Sequence, residues 1–298
     1  MFKSTKVAVI FDFDKTLSPD YMQKVIFDSY GIDEAEFWND CRSRSNMNEE
    51  LFGHTHNELD YMNTFLQYVR DGRFHDLDNT ILAKLGNAIR LYPGVPWLFN
   101  EIFKLGAEIY IVSSGIKTML SGLEARIKEA TRNDNFRING IYAGDFRCGE
   151  NGTKGLSSIA SCISSVDKIK AIYEISKGCN LYGYDVTTSI PKGGRRVPLE
   201  NMIYVGDGPS DIFCMNLIKD SGGHTLGVFN PQFPSQFKLI ENIRSGNRLD
   251  TIAIADYREG ATASYWILNK TKELLELSSE EHCLRQVITD LRGKRPGY

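Results

Sequence analysis

Three short apolar runs of the sequence are each followed by polar residues that could hold a phosphate group or a metal ion. These residues are Asp12, Asp14 and Thr16 after the run at 7–11, Ser113 and Ser114 after the run at 108–112, and Asp207 and Asp211 after the run at 202–205. Carboxylates gathered in one pocket repel one another unless a cation lies among them. Hard oxygen ligands, few in number and with room left for water and a phosphate oxygen, are typical of a Mg2+ site.

The serine cluster would supply a different kind of contact. Ser113 offers a hydroxyl, and the chain after it offers free backbone N–H groups, both of which suit phosphate oxygens. Each cluster also has a simpler interpretation, since acidic residues are common at helix starts and Ser-Ser-Gly is a common turn composition. The sequence favours a functional interpretation because three such clusters follow three separate apolar runs.

The elements that must position these clusters are predicted to be strands of a parallel sheet. Apolar runs rich in β-branched residues lie at 7–11, 108–112, 202–205, 225–229 and 251–255, and longer helical patterns separate them. The runs are continuous rather than alternating, as expected for strands covered on both faces. Ligands of open parallel sheets bind beyond the carboxyl ends of the strands. The three clusters should therefore converge on one ligand.

The predicted fold class is α/β, with a Rossmann-like three-layer αβα core, a parallel sheet and an inserted helical cap domain. Residues 19–90 show apolar positions at helical spacing and no convincing strand. We therefore assign residues 1–16 and 94–298 to the α/β core and residues 17–93 to the cap. Cap aromatic residues such as Phe37, Trp38, Tyr61 and Phe65 are expected to pack inside the cap rather than to surround a substrate.

Two further insertions and one histidine pair have less specific patterns. A hairpin is expected within residues 136–155 and a loop within residues 180–198. The loop carries three basic residues, Lys192, Arg195 and Arg196. Such a glycine-flanked basic loop is more often solvated than substrate-binding. His54 and His56 could form a metal pair, but a surface role is favoured because no third ligand is near them in the sequence.

The motif DFDKT, a serine that closes the next core strand, a downstream lysine and the motif GDGPSD resemble the four motifs of the haloacid dehalogenase (HAD) superfamily, in its phosphatase branch. The resemblance covers most of the chain in order and spacing, and its first and fourth motifs are specific. The helical insertion resembles the C1-type cap of the phosphoserine-phosphatase-like members. The resemblance implies a phosphoric monoester hydrolase that needs Mg2+ and acts on a small phosphorylated metabolite.

Carried over residue by residue, the resemblance implies that Asp12 is the nucleophile and becomes a phospho-aspartate. Asp14 would be first the general acid and then the general base. Lys168 would neutralise charge between nucleophile and phosphate, although Lys170 lies near enough to leave this assignment open. The implied phosphate-binding residues are Ser113, Ser114 and Thr16. The implied Mg2+ ligands are Asp12, Asp14 through its backbone carbonyl, and Asp207, with Asp211 in a supporting or ligating position.

The chemistry of phosphate monoesters accounts for this set of residues. Their hydrolysis is so slow that enzymes must supply up to ~10²¹-fold acceleration. A carboxylate that approaches a phosphate dianion is repelled, so a cation and a lysine must cancel charge before attack. Asp14 must hold a proton in the first step, which requires a pKa raised from ~3.9, and neighbouring carboxylates could raise it. Members that cleave carbon–halogen bonds lack this second aspartate, so its presence favours phosphoryl transfer.

The composition of the chain argues against two classes of partner, nucleic acids and membranes. The chain has 298 residues, 42% hydrophobic, 24% charged and with a net charge of -3, which is typical of a soluble protein. We expect no nucleic acid and no membrane as partners, because there is neither a strong basic excess nor an apolar run of ~20 residues. Six cysteines without metal-ligand spacing predict reduced thiols and a cytoplasmic location. The oligomeric state is not indicated.

Two alternatives to hydrolysis remain at this stage. A phosphotransferase of the same superfamily would pass the phosphoryl group to an alcohol rather than to water. A non-catalytic protein could bind metal and phosphate on the same fold, although every acidic position of the two specific motifs is present. The sequence of residues 19–90 does not identify the substrate, and the fold alone does not supply it.

Overall fold

A computed structural model of the protein describes residues 6–53, 56–149, 155–191 and 194–293, with side chains described up to residue 280. Seven strands form one sheet in the order β4-β3-β2-β1-β5-β6-β7. The strands are β1 (Ala8–Phe11), β2 (Glu108–Ile116), β3 (Gly140–Cys148), β4 (Leu156–Ser161), β5 (Met202–Gly206), β6 (His224–Phe229) and β7 (Thr251–Ile254). All neighbours are parallel except β3 and β4, which are antiparallel.

The helices fall into three groups along the chain. Between β1 and β2 lie α1 (Lys24–Tyr30), α2 (Glu34–Phe52), α3 (Asn57–Arg70), α4 (Asn79–Gly86) and α5 (Val95–Leu105). Between β2 and β5 lie α6 (Leu123–Thr131), α7 (Ser165–Lys177) and α8 (Cys179–Tyr182). After β5 lie α9 (Ile212–Asp220), α10 (Pro234–Ser245) and α11 (Thr262–Gly293). In the described part of the chain, no helix is long and apolar enough to cross a membrane.

The central strand β1 divides two hydrophobic clusters, which makes the core a three-layer structure. Val9 and Phe11 belong to one cluster, whereas Ala8 and Ile10 belong to the other. Successive side chains of a strand point to opposite faces, so the continuous apolar run of β1 is explained by burial on both faces. The predicted α/β class and parallel sheet are confirmed, including all five predicted apolar runs as strands.

Helices α1 to α4 form the expected helical insertion. The parts of residues 17–93 that the structure describes contain α1 to α4 and, beyond one isolated bridge between Asp14 and Ser18, no strand pairing. Phe27, Phe37 and Phe65 are fully or almost fully buried inside it. Phe65 also stacks on Phe146 of β3, with ring centroids 5.3 Å apart. The insertion and the sheet thus share one hydrophobic core.

Two local predictions need correction. The hairpin exists but is formed by β3 and β4, so it extends beyond residue 155 to Ser161, and residues 150–154 lie outside the described residues. Strand β2 does not end at Val112 but continues to Ile116, with a register shift against β3. The serine cluster therefore lies within a strand rather than in a loop after it. Apolar content marked only the first five residues of β2, although Ser113, Gly115 and Ile116 are also buried.

The position of β1 between β2 and β5 determines where the polar clusters lie. Phe11 is in register with Ile111 of β2 and with Val205 of β5. The residues that follow these three positions therefore reach the same edge of the sheet at the same height. This is the convergence that the sequence predicts.

Candidate active site

Asp12 is the first residue after β1 and lies at the centre of the site. Its backbone N–H donates to the carbonyl of Val205 at 2.9 Å, so the sheet hydrogen bonding continues one residue past the strand. Only 5% of Asp12 is exposed. The Thr16 hydroxyl lies 3.4 Å from Asp12 Oδ2 and 3.3 Å from Asp207 Oδ1. Thr16 therefore bridges the carboxylates that follow β1 and β5.

Lys168 joins this centre from helix α7. Its side chain is fully buried, and its Nζ lies 2.7 Å from Asp12 Oδ1 and 2.7 Å from Asp211 Oδ1. The Ser210 hydroxyl lies 3.3 Å from the same nitrogen. Lys170, by contrast, is 61% exposed and pairs with Glu174. The structure thus brings Lys168, and not Lys170, to Asp12.

Helix α7 positions Lys168 because its first turn is firmly capped. Ser164 caps the helix through its side chain, which accepts from the Asp167 N–H at 3.2 Å, while the Asp167 carboxylate accepts the Ser164 N–H at 3.0 Å. This reciprocal arrangement satisfies two N–H groups that the helix leaves without partners. Helical spacing alone does not distinguish a buried lysine at residue 168 from a solvated one, because the burial of α7 depends on tertiary packing.

The segment after Asp12 turns sharply and returns Asp14 to the site. The carbonyl of Phe13 accepts from the N–H groups of Leu17 at 2.8 Å and Ser18 at 3.1 Å, and Lys15 has a positive φ of 63°. Asp14 Oδ1 accepts the N–H of Met22 at 2.8 Å. Asp12 and Asp14 both line the same cavity. Their placement is due to this turn, since β1 itself ends at Phe11.

The GDGPSD motif, residues 206–211, supplies a second group of residues at the site. Gly206 ends β5, and a Cβ atom at this position would lie 2.4 Å from Asp211 Oδ2, so only glycine allows this close approach. Asp211 is fully buried, and its Oδ1 accepts from the Tyr204 hydroxyl at 2.7 Å as well as from Lys168. Asp211 thus holds Lys168 in place, and it is not among the residues that line the cavity with Asp207.

Ser113 and Ser114 of β2 are the third group of residues at the site. Ser113 is buried, and its Oγ accepts the N–H of Gly115 at 3.0 Å. Ser114 Oγ is buried and has no hydrogen-bond partner among the described residues. The Ser114 carbonyl accepts from the hydroxyl of Tyr61 in α3 at 2.9 Å. Both serines line the cavity together with Asp12 and Lys168.

Burial has a large effect on the protonation of the two aspartates after β1. Burial, with a smaller contribution in the same direction from the Asp12 carboxylate, raises the pKa of Asp14 to about 8. Burial also raises the pKa of Asp12 to about 6, opposed by the Lys168 charge. Neighbouring carboxylates, from which the sequence predicts a raised Asp14 pKa, contribute less to it than loss of solvent does. Asp12 therefore has the lower pKa of the two aspartates and Asp14 the higher.

The pKa values of Lys168 and Asp207 are also shifted by their surroundings. Burial lowers the pKa of Lys168, but Asp12 and Asp211 raise it by more, so the net pKa shift is upward and the lysine stays charged. Burial and the charges of Asp12 and Asp211 hold the pKa of Asp207 well above its usual range. A carboxylate with such surroundings favours either a proton or a metal ion.

The donor set fits a hard divalent cation. Carboxylate oxygens of Asp12, Asp207 and Asp211 lie within 4.8 Å of one another. The Oδ1 of Asp211 is already committed to Lys168 and Tyr204, so Asp12 and Asp207 are the better ligands and Asp211 the supporting one. Oxygen donors of this kind suit Mg2+ rather than zinc or copper.

The cavity in front of these residues measures about 700 Å³ and is bordered by residues of the insertion. Its lining includes six insertion residues that sequence reasoning did not assign to the site: Tyr21, Gln23, Trp38, Glu49, Glu58 and Tyr61. Phe37 and Phe65 pack inside the insertion as predicted, whereas Trp38 and Tyr61, which were expected to pack there too, line the cavity. Trp38 contacts the Phe37 ring and also faces the cavity. Helical spacing identifies the buried stripe of a helix but does not indicate which of its edges faces a ligand.

Other residues considered from the sequence lie elsewhere. Arg196 forms a partly buried ion pair with Glu108 at the start of β2, and the Arg195 guanidinium lies 5.8 Å from the Tyr173 ring centroid. Neither arginine is among the described residues that line the cavity. His56 is exposed beside Glu58. His54 and Lys192 lie outside the described residues.

Comparisons with known proteins place this geometry in context. No family model matches the sequence. A protein of Borreliella burgdorferi, described as uncharacterized, is 31% identical over 283 residues, which covers 89% of this chain and 96% of that protein. The chain therefore belongs to the same family as this Borreliella protein.

Solved structures establish the fold. A substrate-bound phosphoserine phosphatase complex matches with a TM-score of 0.51 and 19% identity over 86% of this chain and 97% of that chain. A probable phosphoserine phosphatase from Vibrio cholerae matches with a TM-score of 0.51 and 13% identity over 94% and 69% of the two chains. A HAD family hydrolase from Salmonella enterica matches with a TM-score of 0.51 and 14% identity over 79% and 66%. The predicted HAD-type fold with a phosphoserine-phosphatase-like arrangement is confirmed.

Proposed function

We propose that this chain, which belongs to the same family as the Borreliella burgdorferi protein and has the HAD-type fold, is a Mg2+-dependent phosphohydrolase. Its substrate is a small phosphorylated metabolite, and the reaction passes through a phospho-aspartate. The observation that carries the proposal is the buried Asp12 carboxylate held 2.7 Å from Lys168 Nζ, with Asp14 and Asp207 facing the same cavity.

Asp12 is the nucleophile of the first step. One of its oxygens attacks phosphorus, the bond between phosphorus and the ester oxygen breaks, and the phosphoryl group is transferred to the carboxylate. Asp14 protonates the departing alkoxide, for which it must be protonated beforehand. Its burial, which raises its pKa to about 8, meets this requirement at neutral pH.

In the second step Asp14 has lost its proton and acts as the base. It removes a proton from a water molecule that attacks phosphorus, and the Asp12 carboxylate leaves. Lys168 stays charged beside Asp12 throughout and compensates the negative charge that gathers around the phosphoryl group. Ser113, Ser114 and Thr16 line or border the site and are proposed to hold the phosphoryl oxygens.

Asp12, the Asp14 backbone carbonyl and Asp207 would hold Mg2+, and Asp211 would support them through Lys168. When bound, this ion supplies positive charge that offsets repulsion between the carboxylates and the phosphate. Residues 17–93 are proposed to act as a cap over the site. The cap would exclude water and contact the leaving group, since residues of its helices line the same cavity as Asp12.

The proposal is tested by phosphate release from a panel of small phosphate esters, with and without Mg2+, for wild type and Asp12→Asn. We expect Mg2+-dependent release by the wild type and its loss in the variant. Adding alcohols and analysing the products separates a hydrolase, which yields free phosphate, from a phosphotransferase. Mg2+ binding without release from any ester would favour a non-catalytic binding protein, and release by Asp12→Asn would show that the nucleophile is another residue.

A further inference from the structure

Met22 makes two hydrogen bonds that connect Asp14, the proposed general acid, to strand β2. Its backbone N–H donates to Asp14 Oδ1 at 2.8 Å, and its Sδ accepts the backbone N–H of Ile116 at 3.0 Å. Asp14 follows β1, Ile116 is the last residue of β2, and Met22 lies two residues before α1. A single residue at the start of the insertion thus joins the segment after β1 to the strand that carries Ser113 and Ser114.

The side chain of Met22 is held firmly in place. It is fully buried and belongs to the same hydrophobic cluster as Leu17, Ile26 and Ile116. A thioether is flexible and only a weak acceptor, so packing around it determines where the sulfur lies. The N–H of Ile116 is a buried donor, and buried backbone donors require an acceptor. The Met22 sulfur provides that acceptor where the pairing of β2 with β3 shifts register, between Val112 and Ile116.

Gly115 leaves the space that the Met22 side chain occupies. A Cβ atom at position 115 would lie 2.2 Å from Met22 Cε, 2.6 Å from Met22 Sδ and 3.2 Å from Ser113 Oγ. The first two distances are much shorter than a van der Waals contact, so a larger residue would displace the thioether. Gly115 is not among the described glycines with a positive φ. Its need for a glycine therefore comes from this close approach and not from a left-handed backbone.

The bond from Met22 also distinguishes the two oxygens of Asp14. Among the described residues, the Met22 N–H is the donor that the Asp14 carboxyl group has, and it bonds to Oδ1. A protonated carboxyl group accepts through one oxygen and donates through the other, so Oδ2 is the oxygen left to carry the proton. Proton transfer needs the acid within hydrogen-bond reach of the leaving oxygen, and a displacement of about 1 Å lowers the rate strongly.

We propose that Met22 is a positioning residue for the reaction. Its backbone N–H fixes the orientation of the Asp14 carboxyl group, and its sulfur, bonded to Ile116 and packed on Gly115, fixes Met22 itself. The proposal rests on the proposed phosphohydrolase function, because it concerns the acid of the first step. Displacement of Met22 turns Asp14, whereas Asp12 keeps its own bonds to Val205 and Lys168. Only the protonation of the leaving group is then impaired.

The test compares kcat/KM on p-nitrophenyl phosphate, whose leaving group departs without a proton, with kcat/KM on 2-glycerol phosphate, whose alkoxide needs one. Phenyl phosphate, with a leaving group of intermediate basicity, replaces 2-glycerol phosphate if the wild type does not hydrolyse the latter. Met22→Leu keeps an apolar side chain but has no sulfur. We expect it to lower kcat/KM on 2-glycerol phosphate at least about fivefold more than on p-nitrophenyl phosphate. An equal loss on the two esters would show a merely structural role and overturns the proposal.

Met202→Leu is the matched control, since Met202 is an equally buried methionine at the first residue of β5, the end of that strand away from Asp207. It should leave the ratio of the two kcat/KM values unchanged, and a ratio shifted as in Met22→Leu counts against the proposal.

A double-mutant cycle tests the part played by Gly115. Gly115→Ala should raise the ratio of kcat/KM on p-nitrophenyl phosphate to that on 2-glycerol phosphate at least about fivefold, because the new Cβ displaces the thioether. In the Met22→Ala background the space is free, so Gly115→Ala should change the ratio by less than about twofold. If Gly115→Ala acts through Ser113 Oγ instead, the ratio changes equally in both backgrounds, and that result overturns the proposal. Met22→Leu still decides the question if Met22→Ala does not fold.

Failure of this inference is distinguishable from failure of the proposed function. Hydrolysis by the wild type with unchanged ratios in Met22→Leu and Gly115→Ala would leave the function intact and overturn only the inference. If the wild type hydrolyses no ester, the proposed function fails, and amide hydrogen exchange on the whole protein still tests the inference. Gly115→Ala should then speed exchange of the Met22 amide at least about tenfold more than that of the Asp12 amide, which donates to Val205. Equal changes at the two amides contradict the inference.

Discussion

Lys168 Nζ lies 2.7 Å from Asp12 Oδ1, and the exposed fractions of the two side chains are 0% and 6%. A charge pair so far from water is retained at a cost in desolvation, and removing one partner leaves the other charge uncompensated. The same nitrogen lies 2.7 Å from Asp211 Oδ1. Lys168 therefore links the residue that follows β1 to the end of the GDGPSD motif.

Replacing Lys168 should abolish most of the activity. We expect Lys168→Met to lower kcat/KM on p-nitrophenyl phosphate by about 10²-fold or more, because Asp12 and the phosphoryl group lose a compensating charge. Lys170→Met is the control, since Lys170 is exposed and lies on the same helix. Circular dichroism should show that both variants fold. Equal loss in the two variants, or no loss in Lys168→Met, contradicts this role.

The raised pKa values of the two aspartates predict a bell-shaped pH dependence of kcat/KM. Asp12 must be ionised to attack, so activity should fall as pH drops through its pKa, which burial raises to about 6 in the absence of metal. Asp14 must be protonated, so activity should fall as pH rises through its pKa of about 8. Bound Mg2+ should shift the acidic limb to lower pH, because a cation favours the ionised form.

Esters with different leaving groups identify the residue whose titration lowers kcat/KM at high pH. p-Nitrophenolate departs without a proton, so its ester should show a weaker alkaline limb than an alkyl phosphate when both are measured at saturating Mg2+. Asp14→Asn should lose more activity on the alkyl ester than on p-nitrophenyl phosphate. Alkaline limbs that coincide for the two esters would argue against Asp14 as the acid.

Stability should also depend on pH when no metal is bound. The pKa of Asp207 is raised well above its usual range in the folded state, so the folded protein binds more protons than the unfolded chain. The free energy of unfolding therefore falls as pH rises above the pKa of an unfolded aspartate, at about 4. Asp207→Asn should weaken this pH dependence, which thermal unfolding in EDTA between pH 5 and about 9 measures.

Mg2+ should stabilise the wild type in the same assay. At a concentration about 100 times the Kd, a ligand that binds only the folded state adds about 2.7 kcal/mol to the free energy of unfolding. We expect a higher Tm with Mg2+ for the wild type and for Asp220→Asn, an exposed carboxylate at the end of α9, and little change for Asp207→Asn. An equal Mg2+ response in all three proteins would exclude Asp207 as a ligand.

The contact between Tyr61 and β2 should influence how the cap closes. The Tyr61 hydroxyl donates to the Ser114 carbonyl at 2.9 Å, and such a bond contributes about 0.5–1.5 kcal/mol. Tyr61→Phe should lower kcat/KM by about 2- to 10-fold with little change in Tm. Tyr68→Phe removes a hydrogen bond to Asp40 inside the insertion and should instead lower Tm. The reverse pattern would show that Tyr61 serves packing alone.

How much could be predicted from the sequence differs from residue to residue. Asp12, Asp14 and Asp207 follow apolar runs whose parallel pairing is a general property of α/β sheets, so their convergence was predictable. The position of Lys168 was not, because a lysine on a helix is buried only when tertiary packing and two carboxylates compensate its charge. Neither was the extension of β2 past Val112, where pairing with β3 rather than hydrophobicity maintains the strand.

The cavity-facing residues of the insertion were beyond sequence reasoning for a related reason. Trp38 and Phe37 are adjacent aromatic residues in α2, yet only Trp38 lines the cavity. Which edge of an amphipathic helix meets a ligand depends on how the helix is rotated against the sheet, and a single sequence does not contain that information. The cap was therefore identifiable as helical, and its substrate contacts were not.

The most direct test of the central claim is to trap the phosphoryl group on Asp12. The protein is mixed with Mg2+ and an ester that it hydrolyses, quenched, reduced with borohydride and digested, and the peptide that contains DFDKT is examined by mass spectrometry. The account predicts reduction of Asp12 to homoserine only when the ester is present, and more of it in Asp14→Asn, where hydrolysis of the intermediate is slowed. Phosphate release with Asp12 unmodified, or modification of a different residue, would contradict it.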